Sequence, residues 1–240
     1  MNYLTPLKLD EKLKVEQVIF DLDHTLWDFE TNARLSISEL YDEFNLAQYG
    51  FLLEEYLPVY IRCNEYCWEK YRMNKMRKDL LRHQRFYLSL KDFGLIDRQL
   101  SKKIGKRYVE ISPEKTALMP GTTEILDYLA GKYPLHIITN GFEEIQSLKL
   151  KNSGIDKFFN HVITSEKAGK RKPEPKIFQY ALHKIKCSPS NAIMIGDDLE
   201  SDVKGATNAG LHAIWYNHHQ HAHDHSHRVI HHLSELKKYL

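Results

Sequence analysis

Two carboxylates set directly after an apolar run pose the first chemical problem in this sequence. In VIFDLDHTLW, residues 18–27, Val18-Ile19-Phe20 runs straight into Asp21-Leu22-Asp23. On an extended backbone, side chains two residues apart point to the same side. Charges at the end of a buried strand persist only where solvent, a metal or a cationic partner meets them. At about 4 Å two like charges repel by about 4 kcal/mol at an effective dielectric near 20. The pair therefore requires positive charge nearby. Three later stretches offer complementary groups. IITNG ends in Thr139, Asn140 and Gly141, the last allowing a backbone to approach a ligand closely. GKRKPEPKIF places Lys172 before Pro173, just ahead of a helical pattern. MIGDDLESD supplies Asp197, Asp198 and Asp202 after another apolar run. Each alone is a common loop composition; their joint occurrence in this order points to one site.

The elements that must position these residues follow from periodicity. Strands are expected at 18–20, 135–139, 161–164, 191–195 and 211–215, with helices at 122–130, 143–152, 175–186 and 199–208. Gly154 and Gly210 stand where helices stop. Strands and helices alternating at this spacing imply βαβ units, hence a doubly wound Rossmann-like α/β core with a mostly parallel sheet. In such sheets the active site lies beyond the carboxyl ends of the strands. The four polar stretches all fall there. Residues 28–116 break the rhythm with helical patterns throughout. The expected organisation is a core of 1–27 and 117–240 with an all-helical insert at 28–116.

Composition bounds the function classes. The chain has 240 residues, 42% hydrophobic and 28% charged, ordinary values for a globular protein with a real core. A net charge of +2 argues against a nucleic-acid polymer as partner. No apolar run reaches the length of a signal peptide or membrane span, so a cytoplasmic location is expected. Cys63 and Cys67 are four residues apart, on one helix face, and with Cys187 they read as free thiols.

The succession DLDHT, TNG, Lys172-Pro173 and GDDLESD resembles the haloacid dehalogenase-like phosphohydrolases. The resemblance covers nearly the whole chain, since the 28–116 insert sits where that family carries a helical (C1-type) cap. IITNGFEEIQSLKL, GKRKPEPKIFQYAL and IGDDLESDVKGATNAG are similar to the pyrimidine 5'-nucleotidase-type subgroup. The resemblance implies a Mg²⁺-dependent phosphomonoester hydrolase acting on nucleoside monophosphates or similar small phosphorylated metabolites. It implies Asp21 as nucleophile, forming an aspartyl-phosphate, and Asp23 as general acid and base. Asp21, the Asp23 backbone carbonyl and Asp197 would hold Mg²⁺. Thr139, Asn140, Gly141 and Lys172 would bind phosphate. Asp202 matches an acidic position that holds the metal through water or orients Lys172, and Asp198 a position that varies.

The core motifs leave substrate choice to the insert, where Arg77, Lys78, Arg82 and Arg85 are candidates to meet the leaving group; the competing reading is a solvated basic helix face. A phosphomutase or a phosphoglycolate-type phosphatase of the same fold is an alternative. A Mg²⁺-independent 2-haloacid dehalogenase is another, against which Asp23 speaks. A non-enzymatic metal-binding scaffold would rest on NHHQHAHDHSHRVIHH, with eight His between 218 and 232. Imidazoles at alternate positions can chelate Zn²⁺, Ni²⁺ or Cu²⁺.

Overall fold

Val18, Ile19 and Phe20 are fully buried in β1 (Gln17–Phe20), the centre of a parallel sheet. The computed structural model describes residues 12–222 and 227–240; positions 223–226 of the His-rich segment lie outside the described residues. β1 is followed by helices α1 (Phe29–Glu43), α2 (Leu53–Arg72), α3 (Lys78–Asp92) and α4 (Arg98–Ile111). Next come α5 (Thr122–Ala130), β2 (Leu135–Thr139), α6 (Glu143–Asn152), β3 (Phe159–Thr164), the single turn α7 (Ser165–Ala168) and α8 (Pro175–Ile185). The chain ends with β4 (Ala192–Gly196), a π-helical turn at Leu199–Lys204 leading into α9 (Gly205–Asn208), β5 (His212–Tyr216), β6 (Arg228–Ile230) and a 3₁₀ segment at Leu233–Lys238. No helix among the described residues is long and apolar enough to cross a membrane.

Among the described residues six strands lie in the order β3-β2-β1-β4-β5-β6, every pairing parallel. Phe20 is level with Ile137 of β2 and Ile195 of β4, so the residues after these strands emerge at one edge. The strand order reverses between β1 and β4, the switch point where doubly wound sheets open a crevice. On α8, Ile177, Phe178, Ala181, Leu182 and Ile185 form a buried stripe at helical spacing. They pack with Ile19, Ile138, Ile163 and Met194 of the sheet. Pro175 opens that helix where no intrahelical N–H is needed, and Lys186 closes it with φ 53°.

The chain divides into two compact units: an α/β unit of Met1–Asp28, Leu118–Glu143 and Gly154–Leu240, and a helical unit of Phe29–Ala117 and Glu144–Ser153. The helical unit has its own aromatic core, with Tyr60 stacked on Phe86 at 5.1 Å between centroids. Most of α6 groups with this unit, although its sequence position suggests a simple crossover between β2 and β3. Side chains explain the placement: Glu144 meets Lys78 and Arg82, Lys149 lies over the Phe29 ring, and Asn152 Nδ2 donates to the Pro113 carbonyl. Asn32 pins the chain's exit within the helical unit, its side chain bonded to both backbone groups of Ala117. Trp27 and Leu118 form an antiparallel bridge on the α/β side.

Two local features depart from the periodicity. The segment 199–208 opens as a π-helical turn rather than one regular helix, and π-turns of this kind are frequent at functional sites. β6 is a three-residue strand inside the His-rich region, too short to give a repeating pattern, and it forms by pairing Trp215 with Val229.

Candidate active site

Asp21 extends β1 by one rung, its N–H donating to the Ile195 carbonyl at 2.9 Å. The chain then wraps around the Leu22 carbonyl, which accepts from the N–H groups of Leu26 and Trp27, both at 2.9 Å. His24 takes a left-handed φ of 64° in this wrap. The result returns the fully buried Thr25 to the end of β4, where its Oγ1 donates to Asp197 Oδ1 at 2.8 Å and accepts from the Asp197 N–H at 3.1 Å. Trp215 Nε1 donates to the Asp197 carbonyl at 2.7 Å. Asp197 is thus held by neighbours on both sides.

Lys172 is 2% exposed, and its ammonium sits among three acceptors. Asp21 Oδ1 lies at 2.7 Å, Asp202 Oδ1 at 2.6 Å and the Ile138 carbonyl at 2.9 Å, one for each ammonium proton. Asn140 clamps the lysine's backbone, accepting from its N–H at 2.9 Å and donating to its carbonyl at 3.0 Å. The Asn140 side chain is therefore spent on positioning Lys172. Thr139 is buried, and its hydroxyl accepts from the Gly141 N–H at 3.0 Å. Asp198 and Asp202 separate clearly. Asp198 caps the π-turn, Oδ1 accepting from the N–H groups of Glu200 and Ser201. Asp202 is fully buried against Lys172, and a Cβ on Gly196 would collide with its carboxylate. Glycine is required there by that approach.

Asp21, Asp197 and Asp202 each bring a carboxylate oxygen within 4.8 Å of the other two. Three carboxyls thus cluster beside one ammonium, Asp202 fully buried and Asp21 and Asp197 half-buried, and loss of solvation pushes all three upward. The Asp197 carboxyl is pushed up to about 8, first by burial and then by Asp21, against the Thr25 hydrogen bond. Burial also raises Asp21 and Asp202, with Lys172 opposing in both cases. Burial alone would lower the Lys172 ammonium, but Asp202 and Asp21 outweigh it and hold it above its usual range. The upward shifts show that one lysine does not stabilise three ionised carboxylates, and these hard oxygen donors suit a further cation such as Mg²⁺. Asp23 follows two residues after Asp21, and its charge adds to the raising of the Asp21 carboxyl.

The basic residues of the insert do not form one face. Arg77 is exposed and paired with Asp79; Lys78 and Arg82 pair with Glu144, the lysine at 3.0 Å. Arg85 is 4% exposed, its Nη1 donating to Asn64 Oδ1 at 2.9 Å and its guanidinium 4.4 Å from the Tyr108 ring centroid. Its spacing of four from both Leu81 and Ser89 places it on the buried stripe of α3. Sequence reasoning also missed Thr25 and the Ile138 carbonyl. Thr25 stands inside the DLDHT stretch, but a backbone carbonyl carries no signal.

Comparison with known proteins identifies the family. A family model for haloacid dehalogenase-like hydrolases matches residues 18–216. The pyrimidine 5'-nucleotidase PynA of Streptococcus pneumoniae is 31% identical over 204 residues, 84% of each chain. A glyceraldehyde 3-phosphate phosphatase of Methanothermobacter thermautotrophicus is 31% identical over 207 residues, 85% of this chain and 86% of its own. The magnesium-bound structure of the HAD-hydrolase YfnB from Bacillus subtilis matches with a TM-score of 0.84 and 28% identity, covering 93% of this chain and 97% of that one.

Proposed function

Because the chain belongs to the haloacid dehalogenase-like hydrolase family, we propose that it is a Mg²⁺-dependent phosphomonoesterase acting through an aspartyl-phosphate on nucleoside monophosphates or similar small phosphorylated metabolites. The observation that carries this reading is Lys172 buried between Asp21 and Asp202, with carboxylate charge left over. Asp21, the Asp23 backbone carbonyl and Asp197 would hold Mg²⁺, with Asp202 in the same acidic group. When bound, the cation offsets the charge that keeps a carboxylate and a phosphate dianion apart.

The protein's own residues do the rest. The Asp21 carboxylate attacks phosphorus while the leaving oxygen takes a proton from Asp23. Asp23, now a carboxylate, removes a proton from water, whose oxygen attacks the acyl phosphate and releases inorganic phosphate and free Asp21. The Thr139 hydroxyl, which accepts from the Gly141 N–H and keeps its own proton to donate, holds a phosphate oxygen, and Lys172 aims Asp21 and opposes the upward shift of its carboxyl. The test is a panel of nucleoside monophosphates, triose phosphates and an aryl phosphate, each with Mg²⁺ and with excess EDTA. Mg²⁺-dependent release of phosphate, fastest from a nucleotide, is the expected result. Release that ignores EDTA overturns the metal assignment, and preference for a triose phosphate overturns the substrate class.

A further inference from the structure

We propose that the histidine turn after β5 is a binding site for a borderline divalent transition-metal ion such as Ni²⁺, Zn²⁺ or Cu²⁺, built from His218, His219, His221 and His231. The sequence places these imidazoles close together along the chain; the structure adds what organises them. Asn217, 2% exposed at the end of β5, ties together both arms of the segment. Its N–H donates to the Ile230 carbonyl at 2.8 Å, which fixes it beside β6. Its side-chain Oδ1 accepts from the His221 N–H at 2.9 Å, and its Nδ2 donates to the His221 carbonyl at 2.8 Å. Its own carbonyl lies 2.8 Å from His231 Nδ1. One buried residue therefore organises the 218–221 turn and the returning His231.

That last contact has a chemical consequence. A carbonyl oxygen only accepts, so His231 Nδ1 carries the proton, and in the neutral ring Nε2 holds the lone pair. Metal-binding histidines are commonly oriented in this way, with the second nitrogen donating to a backbone carbonyl. The other rings lie in succession: Tyr216 and His218 centroids are 5.1 Å apart, His218 and His219 3.9 Å, and His219 and His221 5.6 Å. His219 and His221 are exposed, so an ion reaches them from solvent. The clamp at Asn217 orders the backbone before any ion arrives, which lowers the entropy cost of chelation. Imidazole nitrogen selects the borderline transition metals, whereas Mg²⁺ prefers the oxygen donors around Asp197. The two sites thus differ in the ions they take.

The experiment uses the full chain with no affinity tag and titrates Ni²⁺ and Zn²⁺ calorimetrically, with Mg²⁺ as the control. Wild type should bind the transition ions and should not lose them to excess Mg²⁺. His218→Ala/His219→Ala/His221→Ala and, separately, His231→Gln should each weaken binding by at least about tenfold. His223→Ala/His225→Ala should leave the affinity near wild type, and phosphatase turnover reports the fold of every variant. Wild-type affinity in the turn variant or in His231→Gln overturns the proposal, as does binding lost only in the 223/225 variant. A Cu²⁺ complex of wild type gives a reading independent of any variant. Its electron paramagnetic resonance spectrum should show nitrogen couplings, and a purely oxygen-coordinated spectrum overturns the proposal equally.

Discussion

The α/β unit and the helical unit each contain a three-member charge cluster, and the two are mirror images. In the first, one cation, Lys172, lies between two carboxylates, Asp21 and Asp202. In the second, one carboxylate, Glu144, lies between two cations, Lys78 and Arg82. The arithmetic is the same and the surroundings are not. The side chains of Lys172 and Asp202 are 2% and 0% exposed, whereas those of Glu144, Lys78 and Arg82 are 48%, 28% and 31% exposed. Burial raises both carboxyls of the first cluster despite the lysine between them. Burial also acts to raise Glu144, but the Lys78 hydrogen bond and both cations outweigh it and hold the carboxyl low. Solvent lets the helical cluster relax into ordinary pairing. The strand-end cluster is left with carboxyls that one lysine does not stabilise, the setting in which the proposed cation would act.

The largest expected effect separates the clusters by chemistry. Asp21→Asn should lower kcat by at least about ten-thousandfold, because an amide of nearly the same shape cannot form the acyl phosphate. Thermal unfolding should stay cooperative, with no large loss of stability, since the change removes one negative charge from a cluster that has too many. Retained turnover of more than a few per cent, with deamidation excluded by mass spectrometry, rejects Asp21 as the nucleophile.

Stability gives the next contrast. Lys172→Met should cost about 3–5 kcal/mol, because Asp21, Asp202 and the Ile138 carbonyl all lose their shared partner in a buried setting. Lys78→Met should cost no more than about 1 kcal/mol, as partly exposed pairs do. Denaturant titration of both variants at one ionic strength makes the comparison. Equal losses would mean that burial is not what distinguishes the clusters.

The contrast also explains what the sequence could convey. Asp21, Lys172 and Asp197 were legible because strand ends in a parallel sheet are predictable places and charges there stand out against apolar runs. Thr25 was not: a hydroxyl in a loop gains its meaning only when the wrap around Leu22 carries it to Asp197. The resemblance marks Asn140 for phosphate, while its side chain holds the Lys172 backbone, a contact across 32 residues that no local pattern encodes. Charge alone groups Arg85 with Lys78 and Arg82, yet its spacing from Leu81 and Ser89 puts it among the buried residues of α3. The α/β order was readable from alternation. The attachment of α6 to the helical unit depends on which partners its side chains find.

Burial should show itself on a base as well as on acids. His136 in β2 is 2% exposed, with Nε2 2.8 Å from Gln17 Oε1, and its imidazole is pushed down from 6.5 to about 4 by burial and by His161. In this window the unfolded chain binds the proton and the folded chain does not, so stability falls as pH drops from 6.5 to 4. The contribution is complete above the upper value, and its loss amounts to about 3 kcal/mol at the lower. His136→Asn should therefore lose less stability than wild type between about pH 7 and pH 4.5, by roughly 2–3 kcal/mol. Parallel pH profiles for the two proteins would show that the ring is not held neutral. His83 of the helical unit is pushed the same way, first by burial and then by Lys102, but it is partly exposed and its window should be narrower.

The smallest effect is expected at the carboxylate of the solvent-facing cluster. Glu144→Gln keeps the shape of the side chain and removes the charge shared by Lys78 and Arg82. Each pair is partly exposed, so the gain on forming it is modest and the two long cations lose rotamer freedom to keep it. The cost should be under about 1 kcal/mol at low salt. It should fade further as salt is raised, because at about 1 M the screening length is near 3 Å, comparable to the pair distance itself. Lys78 and Arg82 then allow a kinetic test of their second assigned role. If they meet a polar leaving group, alanine at either raises KM for a nucleoside monophosphate by about ten- to a hundredfold and leaves a small aryl phosphate unchanged. On that assignment Glu144→Gln should act in the opposite sense on the nucleotide alone, since it would free both cations for the substrate. Equal changes for both substrates, or none for either, would leave the helix-face cluster as solvated surface and take substrate choice away from these residues. A loss of several kcal/mol on Glu144→Gln, persisting in high salt, would instead show that this cluster behaves as a buried one, and the contrast with Lys172 would fail.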